Sequence, residues 1–152
     1  MNRYVVDNKI LAKASQKEQI FFNILCKFVQ QDTCYRICFD SQDMILSDYY
    51  KVGLQSELIS TWIGYLTTKM ERVSYINVVN DNDVYLSVAE QIPGKNLITI
   101  DKDYYYQNYP LRVKGLNIYD EIEAEKKLEQ HAIVIEQINN GNNNKNNVVI
   151  KK

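Results

Sequence analysis

Short apolar runs alternate with longer stretches of helical periodicity along this chain, and two of the runs lead into aspartate. Arg3-Tyr4-Val5-Val6 precedes Asp7, and Asn96–Ile100 precedes Asp101. Unbroken apolar runs of strand length suit strands covered on both faces, which is the situation in a parallel sheet with helical crossovers. Strands are expected at Arg3–Val6, Arg36–Phe39, Val73–Val79, Asn96–Ile100 and Leu116–Tyr119. Helices are expected between them. One spans Asn8–Ala14. The next carries Phe21, Leu25 and Phe28 and is capped by Ser15, with Glu18 at capping-box spacing. Ser41 is the expected cap of a third, and Leu54, Leu58, Trp62, Tyr65 and Leu66 form the stripe of a fourth. A fifth opens at Asn80–Asp83 and ends at Pro93-Gly94, and Glu121–Ile138 forms a charged closing helix. The fold class expected is α/β: a three-layer sandwich around a mostly parallel sheet of about five strands.

In an open parallel sheet the ligand crevice lies beyond the carboxyl ends of the strands. Asp7 and Asp101 fall there, while Asp48 and Asp83 fall in or at the start of helices. Singly, Asp83 reads as an N-cap, Asp101 as a turn former and Asp48 as a solvated helix residue. Asp7 ends a buried strand and needs partners. Together the four favour a metal site, since gathered carboxylates repel unless a cation neutralises them. Ligation by oxygen alone suits Mg²⁺ or Mn²⁺. The single histidine, His131, lies among charged residues of the closing helix. A Ser-His-Asp or Cys-His mechanism therefore has no evident base, and hydrolytic chemistry would fall to carboxylates and metal-activated water.

With 152 residues, one domain over 1–138 is expected, followed by a tail over 139–152 whose Asn-rich composition predicts disorder. A net charge of −1 provides no overall basic field for nucleic acid, so any such contact is local. Cys26, Cys34 and Cys38 are odd in number and lack Cys-x-x-Cys spacing, which predicts reduced thiols. The N-terminus lacks a signal core and no apolar run has membrane-spanning length, so a cytoplasmic protein with no membrane association is expected.

Val5-Val6-Asp7, Ser47-Asp48-Tyr49, Asp83 before Val88-Ala89, and Thr99-Ile100-Asp101-Lys102-Asp103 follow one another in an order that resembles PIN-like domains. The likeness extends from Arg3 to Leu128. It implies a Mg²⁺- or Mn²⁺-dependent endoribonuclease, such as the toxin of a toxin–antitoxin or defence system. In that reading Asp7, Asp48, Asp83 and Asp101 are catalytic. Asp7, Asp83, Asp101, Asp103 and Asp81 are metal ligands, Asp81 competing with Asp83. Lys9, Asn8, Thr99, Lys102 and Tyr104 contact substrate. RNA, an antitoxin or other regulatory protein, and a second copy in a homodimer are the implied partners. The chain departs from the family at Asp7-Asn8-Lys9, where a small polar residue and an amide are usual, and at Asp48, where Glu is usual. Asp40 and Asp43 are alternatives to Asp48. These departures keep a rival in play, a catalytically inactive PIN-like module that binds a partner protein or RNA. A receiver-like phosphoacceptor domain ranks below both, because no aspartate–strand pairing supports it.

Overall fold

The computed structural model describes residues 2–78 and 82–129. Its five strands form an all-parallel sheet: β1 (Asn2–Val6), β2 (Tyr35–Asp40), β3 (Val73–Ile76), β4 (Asn96–Ile98) and β5 (Asn117–Tyr119), in the order β3-β2-β1-β4-β5. Successive residues of a strand face opposite sides of the sheet. Tyr4, Val5 and Val6 in β1, Ile37, Cys38 and Phe39 in β2, and Leu97 and Ile98 in β4 are all buried. Both faces of the central strands are therefore covered, which is why these runs show no alternation of apolar and polar residues. The architecture is the α/β sandwich expected from the pattern.

The covering helices are α1 (Asn8–Ser15), α2 (Gln19–Lys27), α3 (Met44–Gly53), α4 (Glu57–Thr68), α5 (Val84–Gln91) and α6 (Lys102–Asn108). A closing helix starts at residue 121 and is described to 129. Helix α5 lies against β1, β2 and β4. The Trp62 indole N–H donates to the Leu25 carbonyl at 2.8 Å, tying α4 to α2. The Tyr35 hydroxyl donates to the Leu128 carbonyl at 2.6 Å, tying the closing helix to the sheet. No helix among the described residues is long and apolar enough to cross a membrane.

Several local expectations need correction. Ser15 does not cap α2; its hydroxyl turns back to the Ala12 carbonyl at 2.5 Å and closes α1 instead. Ser41 does not cap α3, because the neighbouring Asp40 carboxylate accepts from both Met44 N (2.9 Å) and Ile45 N (2.8 Å). The buried face of α4 is Ile59, Trp62, Ile63 and Leu66. Leu54, Leu58 and Tyr65 of the expected stripe are exposed; Leu54 ends α3 and lies before the Ser56 cap, outside α4. Helix α6 was unanticipated because its tyrosine run carries no amphipathic period. Asp81, His131 and the tail over 139–152 lie outside the described residues.

The strand order decides where a site can form. From β1 the chain fills β2 and β3 on one side, then crosses to β4 and β5 on the other. The connections leaving the carboxyl ends of β1 and β4 thus diverge and leave a crevice between them.

Candidate functional site

Strand pairing matches Val6 with Ile98, so the residues immediately beyond, Asp7 and Thr99, emerge side by side at the crevice. The Asp7 backbone N–H donates to the Ile98 carbonyl at 2.9 Å, which continues the ladder by one residue. Asp7 is only 4% exposed. Its Oδ1 accepts from the Lys9 backbone N–H at 3.2 Å and so caps α1. Its Oδ2 accepts from the Thr99 hydroxyl at 2.8 Å. The same hydroxyl oxygen accepts from the Asp101 backbone N–H at 3.0 Å. Thr99 therefore orients one acid through its proton and the loop carrying the other through its lone pair. The Lys9 ammonium donates to Asp101 Oδ2 and closes the set.

Burial raises the pKa of the Asp7 carboxyl above the ordinary value of 3.8, and the Asp101 charge pushes the same way. The Lys9 N–H, the Thr99 hydroxyl and the Lys9 ammonium oppose that rise. Ionising Asp7 is thus favoured by any further positive charge placed beside it. The hydrogen bond to Asp101 raises the pKa of Lys9 and keeps it charged.

The other two acids are joined through tyrosines. Asp83 caps α5, its Oδ1 accepting from Leu86 N at 3.1 Å and from the Tyr105 hydroxyl at 3.3 Å. Asp48 Oδ2 accepts from the Tyr85 hydroxyl at 3.0 Å, and Lys51 Nζ stands 3.9 Å from Asp48 Oδ1. Burial, above all, raises the pKa of both phenols far beyond the ordinary range, and the charge of Asp7 acts on each. The two acid–tyrosine pairs therefore share the neighbourhood of Asp7. Beneath them, the buried Tyr49 hydroxyl donates to the Val6 carbonyl at 2.5 Å and braces the end of β1. Sequence reasoning missed Tyr85 as a site residue, and it placed Tyr105 beside the site as one of a run of rings able to stack on bases, not as the partner of Asp83. The available signal was position: Tyr85 lies two residues after Asp83, and Tyr105 one helical turn after Asp101.

Other candidates are placed elsewhere. Lys102 Nζ is bonded to Glu123 Oε1 at 2.7 Å, so it turns toward the closing helix and not toward substrate. Asp103 is exposed on α6 and lies two residues, over half a turn, from Asp101. Asp40 spends both oxygens on α3, and Asp43 is exposed at a left-handed φ of 61°. Asn8 is half-buried at the start of α1, and Tyr104 is half-exposed beyond Asp101. The Cys38 thiol is pushed up to about 12 by burial, which makes it a poor nucleophile.

Asp7, Asp48, Asp83, Asp101 and Thr99 offer oxygens only, which matches Mg²⁺ or Mn²⁺ in chemistry. As the side chains stand, no three carboxylates among the described residues converge to hold an ion. Lys9 holds Asp101, and phenols hold Asp83 and Asp48. A cation would enter by displacing the Lys9 ammonium.

Comparison with known proteins finds no matching family model, no matching curated protein and no matching solved structure.

Proposed function

We propose that this chain is a divalent-metal-dependent endoribonuclease of PIN-like type, with a toxin-like role in RNA cleavage. The observation that carries the reading is the Asp7–Thr99–Asp101 linkage at the switch point of a parallel sheet, with Asp48 and Asp83 bonded to tyrosines that lie within electrostatic reach of Asp7. Asp7, Asp83 and Asp101 would hold Mg²⁺ or Mn²⁺, and a cation bound there offsets charge building on the phosphate oxygens. Thr99 fixes Asp7 Oδ2 and the Asp101 loop, so neither acid reorganises as the reaction proceeds. Tyr85 fixes Asp48 Oδ2 and leaves Oδ1 to accept the proton of the attacking water. The water oxygen bonds to phosphorus, the bridging P–O bond breaks, and the leaving oxygen takes a proton from solvent. Lys51, beside Asp48, is placed to offset charge there.

The Lys9–Asp101 ion pair favours a second reading, a non-catalytic module of the same fold that binds RNA or a protein without cleaving it. One experiment separates the two. Mixed RNA is incubated with Mg²⁺ or Mn²⁺ and, in parallel, with chelator. The catalytic reading expects cleavage with metal only, and a loss of about 100-fold or more in Asp7→Asn and Asp101→Asn. Unchanged far-UV dichroism in both variants establishes that they fold. Full cleavage by either folded variant, or none by the wild type, overturns it.

A further inference from the structure

Helix α6 starts directly after Asp101, so residues three and four further on lie one turn above it on the same face. They are Tyr104 and Tyr105, and they take opposite roles. Tyr105 is 3% exposed and bonds Asp83, whereas Tyr104 keeps 48% of its surface in solvent. The exposed ring is nevertheless braced. Its centroid lies 5.4 Å from that of Tyr105 at 80° and 6.3 Å from that of Tyr109 at 74°. The Tyr109 ring is itself covered by the Arg112 guanidinium at 5.5 Å. Asn108 Nδ2 donates to the Tyr104 carbonyl at 2.9 Å and steadies the short helix. A ring already held in place loses little freedom when a ligand stacks on it. The Lys9 ammonium, which bonds Asp101, lies within electrostatic reach of the Tyr104 hydroxyl. The ring therefore stands next to the acids without being one of their supports.

We infer that Tyr104 is a stacking platform for an unpaired base adjoining the phosphate to be cleaved. The argument rests on the nuclease reading for the position of the phosphate; the platform itself follows from the aromatic geometry. Within a duplex, neighbouring bases cover one another's faces, and only a splayed or single-stranded base presents a face to an aromatic ring. Charge alone does not supply the affinity. The chain carries a net charge of −1, so the counterion-release term that dominates binding on basic proteins is small here. Stacking adds affinity that does not depend on net charge, and it is insensitive to base identity because every base has a π-face.

The test measures binding in chelator, where cleavage cannot interfere, by fluorescence anisotropy of a labelled uridine oligomer. The full chain is compared with Tyr104→Phe, which keeps the ring, and Tyr104→Leu, which keeps apolar bulk alone. Binding of the single strand is expected to exceed that of the same oligomer annealed to its complement. Tyr104→Leu should weaken single-strand binding about tenfold, Tyr104→Phe less than about twofold, and neither should alter the salt slope. Equal binding by Tyr104→Leu and wild type, equal binding of single strand and duplex, or no binding by the wild type overturns the inference. Metal-dependent cleavage that persists when Tyr104→Leu binds normally would remove the platform and leave the nuclease standing.

Discussion

At Lys9 the ammonium bonds the Asp101 carboxylate while the backbone N–H of the same residue bonds Asp7. One residue thus contacts both the acid that follows β1 and the acid that opens α6. An ammonium beside a carboxylate stabilises its ionised form and competes with a metal for the same oxygens. The side chain is 57% exposed, so screening limits the pair to roughly 0.2–1 kcal/mol. Lys9→Asn should therefore raise Mn²⁺ affinity by about two- to fivefold in calorimetry. Without metal it should lower stability to urea by no more than about 1 kcal/mol. Equal Mn²⁺ affinity in both proteins would show that Lys9 does not compete. The sequence placed Lys9 two residues from Asp7, but it could not say where a four-carbon stem would carry the charge. The partner lies 92 residues away along the chain.

Among the described residues, helix starts are capped by carboxylates more often than by hydroxyls. Asp7, Asp40 and Asp83 bond the free N–H groups opening α1, α3 and α5, and Ser56 does so for α4. The closing helix uses a reciprocal pair. Asp120 Oδ1 accepts from Glu123 N at 2.8 Å, and Glu123 Oε1 accepts from Asp120 N at 3.2 Å. Glu123 Oε1 also accepts from Lys102 Nζ, which joins this helix to α6. The Lys102 hydrogen bond, followed by the Asp120 N–H, lowers the Glu123 pKa from the ordinary 4.5. A lowered folded value means that the stabilisation is present above pH 4.5 and is lost as pH falls through the lowered value. Glu123 is 45% exposed, so the effect is discounted to a few tenths of a kcal/mol. Glu123→Gln should thus be less stable than wild type at pH 7, by about 0.5 kcal/mol in urea, and nearly equal to it at pH 3. A deficit that is the same at both values would remove the charge from this account. Ser15 and Ser41 show why caps were misread from sequence. Ser, Asp and Glu all suit helix starts, and which one wins depends on where the preceding strand releases the chain.

Across the whole molecule, the core from Tyr4 to Leu128 is continuous and joins sheet to helices on both sides. Trp62, the single tryptophan, is 5% exposed and bonds α2, so its fluorescence reports on packing between helices. One contiguous core predicts that tryptophan fluorescence and far-UV dichroism lose structure at the same urea midpoint. Separated midpoints would mean that the helical layers come away before the sheet.

The parallel sheet and the sites of its central strands were legible in the chain, because burial on both faces writes an unalternated apolar run into β1, β2 and β4, whereas the edge strands β3 and β5 stay partly exposed. Asp7 was legible as a strand-end acid for the same local reason, whereas β4 stops at Ile98, short of the expected Ile100, and Asp101 stands three residues beyond it as the residue that opens α6. The all-parallel order β3-β2-β1-β4-β5 was not, and it is this order that sets Asp7 against Thr99 across 92 residues. Nor did spacing indicate that Tyr85 and Tyr105 would hold Asp48 and Asp83, that Lys102 would turn away, or that a tyrosine run would coil into α6. Periodicity reports which face of an element is buried, since that depends on neighbours along the chain. Which elements meet, and so which oxygen faces which donor, depends on the closing of long loops and the burial it permits. Only the tertiary structure decides that.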